Sequence, residues 1–387
     1  MSPSSSLKPS RIYLDYNAAT PVDPRVLESY MWARKEIWAN ASSIHREGQA
    51  AKALLAQARN HIARRFDVPA SHIVFFSTAT EGLTTLLRGL IASDKKKKIL
   101  TSVAEHVAVW QLCQTLSKEG VDVSFLPAGT FGAVRPETLE AALDDHVGGI
   151  ALMSVNNETG VCTDVAAIAA LAFERKIPLL VDGVAQLGKS PFVMERGISA
   201  ACFSAYKMYA PCGVGFAVLG RGATFTPLIE GGGQESGRRG GSENVAAIHA
   251  CSVALDYLLD EMAETSVRVS RLRDLFEKTL RASCPGVLVN GEGPRIDNCS
   301  NLAFDGVDGE DLLIQLDLAG VAASHGAACS SGSMEASRVL LQMGYSIERV
   351  RSSLRFSLGI PTTEEEVLRA AEIVSTCVRK QRRKDQE

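Results

Sequence analysis

The sequence predicts an α/β protein: a mainly parallel sheet covered by helices on both faces, followed by a smaller α+β domain. Two observations carry this reading. From about residue 70, short and nearly continuous apolar runs alternate with stretches of helical periodicity, the pattern of strands buried on both faces. The chain is also 387 residues long and 46% hydrophobic, more than one ordinary core holds, so two domains are expected.

The strands read in order as "HIVFF" (72–76), "KILTSV" (98–103), "VDVSFL" (121–126), "GIALMSV" (149–155), "IPLLVD" (177–182), "AACFS" (200–204) and "GVGFAVL" (213–219), seven in all. Helices such as "TEGLTTLLRGLIA" and "DVAAIAALAFERK" lie between the earlier ones. The last two runs are too close for a helical crossover, so one of them is antiparallel to its neighbours. A glycine-rich stretch, "IEGGGQESGRRGGSEN", reads as a hinge closing this block around 229–244. A long helix to about 283 follows, then shorter elements: "VLVNG", "SNLAF", "EDLLIQLDLAG", "SLRFSLG" and a final helix opening at "PTTEEE". Proline, threonines and acidic residues at that start are helix-initiation signals. The large domain is placed at 21–255, and the small one at 1–20 with 256–387.

Composition excludes several classes. A net charge of −3 provides no global attraction for nucleic acid or anionic membrane. The basic runs at 95–98 and 379–384 read as solvated edges. Nine cysteines without a CxxC pair argue against a disulfide framework and against a zinc or cluster site, and for a reducing, cytoplasmic setting. No run reaches the roughly 18 apolar residues of a membrane span, and "MSPSSSLKPSR" lacks a secretory apolar core.

Ligands of open α/β sheets bind beyond the carboxyl ends of the strands, and this chain places chemistry there. After the first strand comes "STATEG", with Ala79 and Thr80 opening a helix whose N-terminus suits a phosphate. Later strand ends deliver His106, Asn157, Asp182, Ser204 and Lys207. Each alone has an ordinary explanation as a cap, a turn or a surface residue. Together they form the inventory pyridoxal 5′-phosphate needs: phosphate donors, a flat ring, a carboxylate for the pyridine nitrogen and a lysine for the aldehyde. Arg355 in the apolar run "SSLRFSLG" either pairs with a structural carboxylate or receives a substrate carboxylate; the second is expected. Cys329 lies in "SHGAACSSGS", a small-residue loop, whereas most of the other eight cysteines read as small core hydrophobes.

In these motifs the sequence resembles the cysteine desulfurases, pyridoxal-phosphate enzymes of transferase fold type I that serve iron–sulfur-cluster assembly and nitrogen fixation. The resemblance runs from "YLDYNAATPVDPRV" (13–26) to "SSLRFSLG" (352–359) and includes "NASSIHREGQ", "TATEG", "AEHVAV", "VNNETGV", "GGGQESGRRGGSENVAAI" and "SHGAACSSGSMEASRVL". It implies that Lys207 forms the Schiff base and moves the Cα proton, Asp182 pairs with the pyridinium, and His106 stacks on the ring and shuttles protons. Asn157 would contact the phenolic oxygen, Thr80 and Ser204 the phosphate, and Arg355 the carboxylate of L-cysteine. Ser242 would reach the cofactor of a second subunit, implying a homodimer. Cys329 would take the sulfur as a persulfide for an acceptor protein, leaving L-alanine. Four departures stand out: Tyr206 where the family has histidine, a phenol that can still donate to the phosphate; Ala185 where it has glutamine near the phenolic oxygen, leaving Gln186 one step on as the candidate for that contact; "APCG" with Cys212 after the lysine; and His325 and Ala327 near the nucleophile. The same cofactor also serves other C–S lyases, selenocysteine lyases and aminotransferases. A non-catalytic scaffold for sulfur acceptors is the reading from another class, and retention of Lys207, Asp182, Cys329 and Arg355 speaks against it.

Overall fold

The structure, a computed structural model, describes residues 11–93, 98–326 and 336–384. The chain enters through strand β1 (Ile12–Tyr13) and helices α1 (Pro24–Glu36) and α2 (Arg46–Arg65). Helix α1 starts where it does because the Asp23 carboxylate accepts the Arg25 N–H at 2.8 Å and Pro24 takes the first helical position, where no N–H is needed. These two helices have no counterpart in the sequence reading.

The central block then runs β2 (Ile73–Phe76), α3 (Ala79–Ser93), β3 (Lys98–Ser102), α4 (Val107–Lys118), β4 (Val123–Leu126), α5 (Pro136–Ala142), β5 (Val147–Met153), α6 (Val165–Glu174), β6 (Leu179–Asp182), β7 (Ile198–Ser204) and β8 (Gly215–Leu219). All seven expected strands form one sheet, in the order β2-β8-β7-β6-β5-β3-β4. Strand β8 runs antiparallel to both β2 and β7, and the remaining pairs are parallel.

The apolar runs are continuous because both faces are covered. Ile73 and Phe75 of β2 enter a core shared with α2, α6 and the start of the long helix α7 (Val245–Ser283). Val74 and Phe76, pointing the other way, pack with Leu83, Leu86 and Leu87 of α3 and Leu112 of α4. Successive strand residues face opposite sides, so a strand between two helical layers has no polar position.

Beyond the sheet come β9 (Val287–Val289), β10 (Cys299–Phe304), α8 (Gly309–Leu318), β11 (Val321–Ala322), α9 (Arg338–Gln342), α10 (Ile347–Arg351), β12 (Ser353–Ser357) and α11 (Glu364–Lys384). They form a three-stranded antiparallel sheet, β12-β10-β9, while β11 pairs in parallel with β1. A second core fills this region, with Phe276, Phe304 and Phe356 at its centre. Both cores share α7: its residues to Leu258 belong to the first and those from Val269 to the second. Among the described residues, no helix is long and apolar enough to cross a membrane.

The glycine-rich stretch expected as a hinge is anchored. Glu235 is buried there at a positive φ of 49°. Its carboxylate takes both terminal nitrogens of Arg59, at 2.5 and 2.8 Å, and the Phe75 N–H at 3.0 Å. A bidentate buried ion pair tied to the sheet edge is a fixed point.

Candidate active site

At the carboxyl edge of the large sheet lies a cavity of about 180 Å³, many times the ~15 Å³ that one water needs. Ala79, Thr80, His106, Asn157, Asp182, Ser204, Tyr206, Lys207 and Arg355 all line it. Nine of the expected site residues, eight from the ends of five strands of the large sheet and Arg355 from within β12, therefore meet in one place.

Each is positioned by its own turn. Asp182 is the last residue of β6, 5% exposed, and its carboxylate accepts the Val184 N–H at 3.0 Å. Burial pushes its pKa up, while the charges of His106 and Lys207 pull it back. His106 caps α4, its Nδ1 accepting the Ala108 N–H at 3.2 Å. That bond leaves the ring proton of a neutral His106 on Nε2, and burial lowers the pKa toward this neutral form. Asn157 sits in a turn locked by its neighbour. Asn156 Oδ1 accepts from Glu158 N, Thr159 N and Thr159 Oγ1, and Asn156 Nδ2 donates to the Ala104 carbonyl. Asn157 Oδ1 is buried without a hydrogen-bond partner.

Lys207 closes the short helical turn Ala205–Lys207 after β7. Its Nζ donates to the carbonyls of Asn17 and, at 2.7 Å, Ala18, and lies 4.9 Å from the centre of the Tyr206 ring. Nearby, Gly215 opens β8 opposite Ser204. A Cβ there would come within 2.8 Å of both Ala79 N and Thr78 C. Only glycine lets β8 approach the start of α3 this closely.

Three expectations need correction or qualification. Arg355 is not waiting free. It is 1% exposed, one terminal nitrogen donates to Asp15 at 2.6 Å, the other to the Asn157 carbonyl at 3.0 Å, and Nε has no partner. Arg355 thus does pair with a structural carboxylate, and its side chain lines the cavity as well. Gln186 does not reach the cavity. Its Nε2 donates to the Pro191 carbonyl at 2.6 Å, while Val184 and Ala185 form the wall. The one-residue offset in the turn after Gly183 turns it outward. Ser242 lines a separate cavity with Ser77, Glu235 and Arg239, away from Lys207 of its own chain. Cys329 and Ala327 lie outside the described residues.

Sequence reasoning missed several groups around the cavity. Asn17 and Ala18 supply the carbonyls that hold Lys207, which any residue type could do. Glu105, beside His106, is buried with Oε1 accepting the Met153 N–H at 3.1 Å and Oε2 unpartnered. Burial raises its pKa well above the ordinary value. Glu158, beside Asn157, is also raised by burial and accepts the Ser337 hydroxyl at 2.5 Å. Arg338 donates to the Val103 and Glu105 carbonyls, both at 2.5 Å, and lies over the Trp110 ring at 4.1 Å. For the two glutamates, positions next to His106 and Asn157 were the available signal.

These residues fit pyridoxal phosphate. A buried carboxylate, an amide with an unpartnered oxygen, a lysine at a strand end and a glycine-shaped approach to a helix N-terminus converge on one ligand-sized space. The chain is also similar to known proteins. Residues 12–369 match the family model Aminotransferase class-V. The chain is 37% identical over 376 residues to the cysteine desulfurase of Nostoc sp., covering 96% of this chain and 94% of that protein. It is also 37% identical over 360 residues to cysteine desulfurase NifS of Azotobacter vinelandii, covering 92% and 90%. Among solved structures, a NifS-like protein superposes with a TM-score of 0.88 at 30% identity, covering 95% of this chain and 98% of that one.

Proposed function

Because this chain belongs to the class-V aminotransferase family and, within it, to the cysteine desulfurases, we propose that its cavity holds pyridoxal 5′-phosphate and takes sulfur from L-cysteine. The products are L-alanine and a persulfide on Cys329, which passes to an acceptor protein. The observation that carries this reading is the convergence of Lys207, Asp182 and His106 on one cavity.

Bound there, the cofactor supplies an electron sink for bonds at the substrate Cα. Lys207 holds the cofactor and, once its amine is released, moves the Cα proton on Nζ. The Asn17 and Ala18 carbonyls beside Nζ favour the ammonium that results. Asp182 would keep the cofactor's ring nitrogen protonated, and His106, held toward the neutral form by burial, would contact the ring without adding a competing charge. Thr80, Ala79 and Ser204 would hold the phosphate, with Tyr206 beside them in the cavity wall. Asn157 supplies its amide to the phenolic oxygen, and Arg355 receives the substrate carboxylate. The Cys329 thiolate attacks the substrate sulfur, the C–S bond breaks, and its electron pair with a proton completes the methyl group of alanine.

A homodimer completes the site. Leu27, Met31 and Trp32 of α1 are roughly half exposed or more, and Trp38 and Ile44 in the following loop are 72% and 93% exposed. Such a cluster suits a second copy, which would bring Ser242 to the other subunit's phosphate.

Purified protein tests the reading. Lys207→Ala should lose the cofactor's visible absorbance and release no alanine. Cys329→Ala should keep the absorbance and lose the protein-bound persulfide. Pyruvate in place of alanine, with Cys329→Ala fully active, would instead make this a β-eliminating lyase.

A further inference from the structure

Arg355 reaches the cavity already committed to another negative charge. Its side chain is 2% exposed and that of Asp15 15%, with 2.6 Å between Nη2 and Oδ1. Asp15 is itself fixed, bridged to Ser357, two residues beyond Arg355 on β12, with Tyr13 donating to its carbonyl at 3.0 Å. The other terminal nitrogen of Arg355 is held by the Asn157 carbonyl. A substrate carboxylate therefore does not meet an isolated cation. It meets a guanidinium whose charge is balanced and whose two ends are each already bonded.

We propose that Asp15 is a counter-charge that sets the grip of the site on the α-carboxylate shared by substrate and product, a role that rests on Arg355 being the carboxylate partner. In the empty site Asp15 keeps Arg355 from standing as an uncompensated buried charge. In the filled site two carboxylates share one guanidinium, and Asp15 repels the incoming one. Across ~6 Å, effective dielectrics between ~20 and ~80 make that repulsion weaken binding by roughly three- to a hundredfold, and about tenfold is expected here. The consequence is functional: the amino acid that remains after sulfur transfer keeps the same carboxylate, and a weakened grip lets it leave. Neither the shape of the cavity nor its cofactor contacts need change for this to hold, because Asp15 is not among the residues lining the cavity.

The prediction concerns ligands that carry the carboxylate and spares those that lack it. Holoenzyme is titrated with L-alanine, followed by the change in cofactor absorbance, and with cysteamine, which has the amine and thiol but no carboxylate. Asp15→Asn keeps an acceptor for Arg355 and removes the charge. It should bind L-alanine about tenfold more tightly and lower the KM for L-cysteine, with cysteamine unaltered. Asp15→Ser serves as a second neutral variant, and thermal unfolding establishes that each is folded. Unchanged or weaker L-alanine binding in both folded variants, while Arg355→Gln still abolishes it, would overturn the counter-charge role and leave the substrate reading standing. Equal tightening of cysteamine would also overturn it. L-alanine binding untouched by Arg355→Gln would remove the carboxylate reading itself, and this role with it.

Discussion

Arg338 should matter more to the cavity than its position outside it suggests. Its guanidinium donates to the carbonyls of Val103 and Glu105, the two residues that flank Ala104 in the turn leading to His106, and lies over Trp110 at 4.1 Å. The preceding Ser337 holds Glu158, next to Asn157. One point on the chain thus braces two walls of the site. Arg338→Ala removes two hydrogen bonds to a charged donor, about 1.5 kcal/mol each at the low end, and a cation–π contact of about 0.5 kcal/mol. Water can replace part of this at a half-buried position, so the expected loss is about 2 kcal/mol. Arg338→Lys keeps the charge but has no planar fork to bridge two carbonyls, so it should recover less than half. Urea unfolding reads the stability. Titration of apoprotein with pyridoxal phosphate reads the His106 wall, where affinity should fall about tenfold in both variants. A loss below about 0.5 kcal/mol, or Arg338→Lys matching the parent in cofactor affinity, would refute the bracing argument.

Other perturbations follow from the same geometry. Glu105 has a folded-state pKa raised by burial above the ordinary 4.5, so the folded protein binds a proton more tightly than the unfolded one. The stability this contributes is full below pH 4.5 and is lost as pH rises toward the folded pKa. Glu105→Gln cannot ionise, so its melting temperature relative to the parent should climb with pH over that window; a pH-independent difference would contradict the burial argument. Gly215→Ala puts a Cβ 2.8 Å from Ala79 N, so cofactor binding should weaken while the fold persists, checked by absorbance titration beside circular dichroism. Glu235→Ala leaves Arg59 largely buried without its carboxylate and should cost about 3 kcal/mol in urea unfolding. A cost under 1 kcal/mol would mean the glycine-rich stretch is not anchored as its hydrogen bonds indicate.

The sheet was readable because its strands lie between two helical layers, which forces unbroken apolar runs such as 149–153. Residues closing those runs, Asp182 and Lys207 above all, were readable as chemistry because strand ends in such sheets face ligands. What stayed hidden is of three physical kinds. Backbone carbonyls carry no residue signature, so the grip of Asn17 and Ala18 on Lys207 left no trace. Ion pairs between distant positions, such as Asp15 with Arg355 or Arg59 with Glu235, depend on folding to meet. Helix α1 leaves Leu27, Met31 and Trp32 exposed, which blurs the apolar stripe that would have announced it. Gln186 shows the opposite error: a one-step offset from the expected position was enough to send its amide to Pro191.

The most direct test of the central claim is mass analysis of the intact protein and its small-molecule product after one turnover with sulfur-labelled L-cysteine. The account predicts stoichiometric alanine and one labelled sulfur carried on Cys329, with both absent in Lys207→Ala. Labelled sulfide free in solution, with Cys329 unmodified and the Cys329→Ala variant equally fast, would contradict it.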